Sequence, residues 1–149
     1  MLTLKIHSSD NLDFYSVCTD KELFIPLASF GISAGFPSPA GDFIDEGIDL
    51  NKELIKHPSA TILGRVKGQS MQDIGIDDGD LIIIDRSIEP TDGKIAVCYI
   101  DGGFIVKRIK IDKDCCWLMS ANDNFKPIKV TEDNEFIIFG IVAHVIKSF

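Results

Sequence analysis

From Thr61 onward the apolar residues fall into short, β-branched runs: "TILGRVK", "DLIIIDR", "KIAVCYI", "FIVKRIKI", "CWLMS", "PIKV" and "FIIFGIVAHVIKSF". Gly, Asp, Asn or Pro separates each from the next, and runs of this length and make-up predict strands. Seven such runs predict a mostly β fold, a small antiparallel barrel or sandwich. Asp101-Gly102-Gly103 supplies residues that tolerate positive φ, so 94–100 and 104–111 are predicted to pair as a hairpin. Ahead of this region Asp49 can cap a short helix through "LNKELIKH", which Pro58 ends. "SAGFPSPAGD" at 33–42 combines two prolines with glycines and small residues and reads as a linker. Residues 1–34 hold apolar clusters without a sustained period and read as an arm. The expected organisation is therefore an arm at 1–34, a linker at 35–48 and a β-rich domain at 49–149.

Composition narrows the function classes. The 149 residues suit one domain, and 45% hydrophobic with 26% charged residues is a globular balance. A net charge of −8 disfavours direct, tight DNA binding, because phosphate neutralisation needs cations. No run reaches the roughly 20 apolar residues of a membrane-spanning helix, and the first 20 residues lack a secretory layout. A cytoplasmic location with no membrane contact is expected. Cys18, Cys98, Cys115 and Cys116 form no C-x-x-C pair, so free thiols are expected, with Cys115 and Cys116 on opposite faces of a strand, one in the core and the other exposed. His7 and His57 are isolated in sequence, and "DIGIDDGD" lacks the ligand and glycine positions of a calcium loop. It reads as a surface turn, and neither a metal nor a cofactor is expected.

Two residues carry candidate chemistry. In "FIVKRIKI" strict alternation puts Ile105, Lys107, Ile109 and Ile111 on one face and Val106, Arg108 and Lys110 on the other. Lys107 interrupts the apolar face, which marks it as the desolvated lysine. Desolvation lowers a lysine pKa, and a lysine brought from about 10.4 to roughly 7 or 8 accepts protons at neutral pH. Ser70, two residues after Gly68, would open a short helix through "SMQDIGI" beside free backbone N–H groups, which are candidate oxyanion donors. A neutral lysine is a recognised activator of a serine hydroxyl. Taken singly, a serine after a glycine is usually a turn residue, and a lone lysine can snorkel past a sheet edge. His144 in "IVAHVI" holds a strand position, which disfavours a Ser-His-Asp triad with Ser70.

Four blocks taken in order sharpen this reading: "GFPSPAGDFIDEGIDLNKELIKHPSAT" at 35–61, "GQSM" with "IDDGDLIIID" between 68 and 85, "DGGFIVKRI" at 101–109 and "FGIVAHVIK" at 139–147. Together they resemble the LexA-type self-cleaving Ser/Lys peptidases, and within them the UmuD branch, regulatory subunits of a translesion DNA polymerase. The resemblance implies a LexA C-terminal peptidase fold with an extended N-terminal arm. It implies Ser70 as nucleophile, Lys107 as general base and Ala34-Gly35 as the bond cut. It further implies stimulation by a RecA filament on single-stranded DNA after damage. The expected product is a trimmed homodimer that joins a Y-family (UmuC-like) polymerase catalytic subunit. The arm matches loosely and holds no recognisable helix-turn-helix, which favours the UmuD branch over a repressor. Two alternatives stand beside this reading: a non-catalytic polymerase-interaction module with a vestigial dyad, and a trans-acting relative of signal peptidases, disfavoured by the missing anchor.

Overall fold

The computed structural model describes residues 2–28 and 44–149. Eleven strands and one α-helix follow one another along these segments. The N-terminal strands are β1 (Leu2–Ser8), β2 (Leu12–Cys18), β3 (Phe24–Ala28) and β4 (Ile44–Asp49). Helix α1 (Leu50–Leu54) leads to β5 (Thr61–Val66), β6 (Leu81–Asp85), β7 (Ile95–Ile100), β8 (Gly103–Asp112), β9 (Cys115–Met119), β10 (Ile128–Val130) and β11 (Phe136–Ile146). All seven runs predicted from Thr61 onward are strands. Nine strands form one sheet in the order β1-β2-β5-β6-β11-β7-β8-β9-β10, and β3 pairs with β4 in a separate two-stranded sheet. Every pairing is antiparallel.

Local chemistry explains the turns and the helix. Asp101 (φ 47°) and Gly102 (φ 89°) both adopt positive φ, as a two-residue turn between right-twisted strands requires, so the predicted hairpin forms as β7 and β8. The Asp49 carboxylate accepts from the Asn51 N–H, capping α1 as expected. The helix stops at Leu54, earlier than the sequence predicts, because Ile55 is already extended and the chain must enter the 3-10 turn Pro58–Ala60. The segment expected to be a patternless arm contains three strands. Its period was hidden because β1 and β3 are largely exposed, so polar and apolar residues mix on them.

Burial occurs on both faces of the large sheet. Val97 and Val106, cross-strand partners, join Leu12, Phe14, Val66, Met71, Ile76, Ile82 and Ile84 in a central cluster. Their neighbours Ala96, Cys98, Ile109, Leu118 and Ile141 form a second cluster, and Ile55 from the helix region packs with Leu63 and Ile83 in a third. Each fully buried Ile or Val contributes roughly 1.5–3 kcal/mol. The continuous run "LIII" in β6 follows from this, since alternate residues face different clusters.

Candidate functional site

Strand β5 ends at Val66 and hands the chain to a turn that carries Ser70. Gly68 has φ 104°, the left-handed side that L side chains avoid, and its N–H donates to Asp78 Oδ1 at 2.9 Å. Met71 inserts into the central cluster at 2% exposure, which pins the turn, while Ser70 beside it stays half-buried. The expected helix through "SMQDIGI" is a single 3-10 turn, Gln72–Ile74, which begins two residues after Ser70 and ends at Gly75 (φ 84°). Gln72 N–H donates to Gln69 O at 3.2 Å. Among the described residues no hydrogen bond engages the backbone N–H of Gln69, Ser70 or Met71.

Lys107 sits mid-strand in β8, opposite the small Ala96 of β7. It is 6% exposed, as its place on the apolar face predicts. Burial alone pushes its pKa below the ordinary lysine value. Its Nζ donates to Ser120 Oγ at 2.5 Å and stands 5.2 Å from the centre of the Phe125 ring. Arg108 is half-buried and Lys110 exposed, so Lys107 is the desolvated one of the three. Ile111 departs from the apolar-face expectation at 43% exposure, because β8 runs out toward its turn there.

Ser70 and Lys107 line one cavity of about 270 Å³, with Gly68, Gln69, Met71 and Phe125 among its walls. Residues 37 apart in sequence (107 − 70) thus share one cavity, because Val66 at the end of β5 and Val106 of β8 belong to the same central cluster. Among the described residues no hydrogen bond joins Ser70 Oγ to Lys107 Nζ; the lysine is engaged by Ser120 instead. The segment after β9 also reaches the serine turn, where Asn122 Nδ2 donates to Gln69 O at 3.2 Å and Asn122 N–H to Ser70 O at 3.4 Å. Ala34 and Gly35 lie outside the described residues, in the connection between β3 and β4.

Ser120, Asn122 and Phe125 were missed from sequence. Ser120 had a usable signal: the pair Asp112↔Cys115 leaves Lys113-Asp114 as a two-residue turn, and that register places position 120 opposite 107. Asn122 and Phe125 had none, since they belong to a loop whose path depends on the fold.

Several expectations need correction. His57, isolated in sequence, has a partner in space, since its Nδ1 lies 2.6 Å from Asp85 Oδ2. Burial pushes the Asp85 carboxyl up, but the bonds from His57 and Ser87 outweigh it and hold the pKa below the ordinary value. "DIGIDDGD" is more than a surface turn, since Asp80 is 6% exposed and Lys147 Nζ bridges Asp77 and Asp80 at 2.6 and 2.5 Å. Among the described residues no group of three or more His, Cys, Asp or Glu could hold a metal ion. Cys115 and Cys116 are both half-buried rather than split between core and solvent, because β9 lies near the sheet edge. Cys98 is fully buried and its thiol pKa is pushed up to about 12 by that burial. His144 sits on β11 opposite Ile83 and is not among the residues lining the cavity. No described helix is long and apolar enough to cross a membrane.

Comparison with known proteins places this arrangement. The model of the peptidase S24-like family matches residues 26–143, a span that holds Ala34, Gly35, Ser70 and Lys107. The chain belongs to the peptidase S24-like family. Protein MucA of Salmonella typhimurium is 41% identical over 121 residues, 80% of this chain and 82% of its own length. Protein ImpA of Shigella flexneri is 38% identical over 122 residues, 81% of this chain and 82% of its own length. The LexA repressor of Colwellia psychrerythraea is 39% identical over 118 residues, 78% of this chain but 56% of the repressor. The resemblance to LexA-type peptidases and their UmuD branch therefore holds across most of the chain. The S24-like match begins after β2, so the hairpin of β1 and β2 lies outside it.

Proposed function

We propose that this chain is a latent self-cleaving serine peptidase of the DNA-damage response, using Ser70 and Lys107 on its own Ala34-Gly35 bond. The observation that carries the reading is a buried lysine, its pKa lowered, in the same cavity as a serine on a turn entered through a positive-φ glycine. Neutral Lys107 takes the proton from Ser70 Oγ as the oxygen attacks the Ala34 carbonyl carbon. The free N–H groups of the 69–71 turn supply candidate donors for the oxyanion. The tetrahedral intermediate collapses as the Lys107 ammonium protonates the departing Gly35 nitrogen, leaving residues 1–34 esterified to Ser70. Water, deprotonated by Lys107, then hydrolyses the ester and restores the serine. Membership of the S24-like family and relatives such as MucA and ImpA support the assignment.

The biological setting follows from the same resemblance. In this proposal the protein is cytoplasmic, cleavage is stimulated by a RecA filament on single-stranded DNA, and the processed protein acts as a homodimer with a Y-family polymerase catalytic subunit in mutagenic lesion bypass. One observation favours a second reading, a non-catalytic interaction module: the hydrogen bond of Lys107 goes to Ser120 rather than Ser70. Intact-mass measurement of the wild type and Ser70→Ala after incubation near pH 10 separates the two. Self-cleavage yields a fragment starting at Gly35 from the wild type alone; an unchanged wild-type mass, with and without a RecA filament, sinks the peptidase reading.

A further inference from the structure

The hairpin of β1 and β2 precedes the family match, yet it is built into the fold. β2 pairs with β5 over Leu12↔Val66 to Ser16↔Ile62. Leu12 is 0% exposed and Phe14 2%, both in the central cluster. The Phe14 ring stands edge-to-face with Phe104 at 4.7 Å and with Phe139 at 5.5 Å. Asp13, 8% exposed, is paired with Lys67 at 2.8 Å and Lys5 at 3.2 Å.

The turn of this hairpin also reaches the candidate site. Asn11 O accepts from Lys67 N–H at 2.8 Å, and Asn11 Nδ2 donates to Phe104 O at 2.9 Å. One residue thereby ties the chain three positions before Ser70 to the chain three positions before Lys107 (70 − 67 and 107 − 104). Asn11 is itself part of the cavity wall. Stripping the hairpin away would bare the partners of Leu12 and Phe14, leave β5 as an open sheet edge and cut this tie.

We infer that residues 1–34 stay bound after the Ala34-Gly35 bond is cut, so that the product is a nicked, two-chain protein whose N-terminal strands still complete the sheet. The inference rests on the proposed function for the position of the cut. That bond lies 16 residues past the end of β2 (34 − 18), so breaking it removes none of the contacts just described. Chain scission then frees two new termini without dismantling the site or its core. This departs from the trimmed 35–149 product that the sequence resemblance implies.

The test cuts the chain without relying on its own activity. A specific-protease recognition sequence is inserted between Ala34 and Gly35 of the full-length Ser70→Ala protein and cleaved with that protease. Denaturing mass spectrometry verifies two fragments, and native mass spectrometry is expected to find them in one species. Amide exchange in β5 is expected to stay as slow as in the uncut chain. A fragment 1–34 that separates on its own, or a β5 that loses protection on cutting, overturns the inference. Phe14→Ala in the same background is expected to speed fragment dissociation at least about tenfold; unchanged dissociation would remove the burial argument. Because an added protease makes the cut, this result stands apart from whether the wild type cleaves itself.

Discussion

The two halves of the candidate dyad are held in opposite ways. Lys107 is gripped by regular structure, with β7 on one side, β9 on the other, 6% exposure and a hydrogen bond to Ser120. Ser70 is carried by an irregular turn between a positive-φ glycine and a one-turn 3-10 helix, anchored by Met71 and brushed by Asn122. In the proposed mechanism the base needs burial to lose its proton near neutral pH, and the strands on either side of Lys107 hold it in that burial. In the same proposal the nucleophile needs approach by a peptide, and a turn in the cavity wall suits that role.

The strongest way to break this contrast is to compare Ser70→Ala with Lys107→Met. In the proposed mechanism each lowers self-cleavage by about 10³-fold or more, measured by intact mass against time. Their stabilities should diverge. Because burial lowers the folded-state pKa of Lys107 below its unfolded value, the folded chain binds fewer protons between those two values, and stability rises with pH across that window. Lys107→Met removes the buried ammonium, so its thermal midpoint should exceed the wild type's by a few degrees at pH 7. The gain should shrink as pH climbs toward about 10.4, whereas Ser70→Ala should show no such pH dependence. Equal pH dependence in the two variants would mean that Lys107 is not the rigidly desolvated partner.

A smaller effect sharpens the role of Ser120. Wild-type cleavage should rise with pH through a midpoint below lysine's ordinary value, since neutral Lys107 is the active form. Ser120→Ala removes an acceptor from the ammonium, which should move that midpoint lower still. It should also reduce the high-pH plateau about tenfold by loosening the lysine. Ser120→Thr should restore both; an unchanged midpoint and plateau in the alanine variant would reduce Ser120 to a packing residue. Least of all, Gly68→Ala should cost about 1 kcal/mol of stability by denaturant unfolding, through its left-handed φ, because nothing within 4 Å would meet the new Cβ. The Lys107-dependent midpoint should not move, since Gly68 belongs to the other half of the contrast.

Much of the fold was legible because strand signals are local. The β-branched runs from Thr61 onward, the Asp101-Gly102 turn and the Asp49 cap each depend on a few neighbouring residues, and all three formed. The N-terminal strands were not legible: β1 and β3 are mostly exposed, and β2 shows its purpose only when Leu12 and Phe14 meet β5. Lys107 could be picked out because a cation on an apolar face is visible from alternation alone. The partners of Asp80 and His57 could not be seen, because Lys147 and Asp85 are 67 and 28 residues away (147 − 80 and 85 − 57).

By itself, then, the sequence determined the seven strands from Thr61 onward, the hairpin turn, the candidate residues Ser70 and Lys107 and the family resemblance, since these rest on short-range periodicity and residue type. Tertiary structure alone decided that Ser70 and Lys107 share a cavity, that Ser120 rather than Ser70 holds the lysine and that the N-terminal hairpin completes the sheet. Sheet order and register set those outcomes by bringing distant residues to adjacent positions, and no local pattern specifies which strands become neighbours.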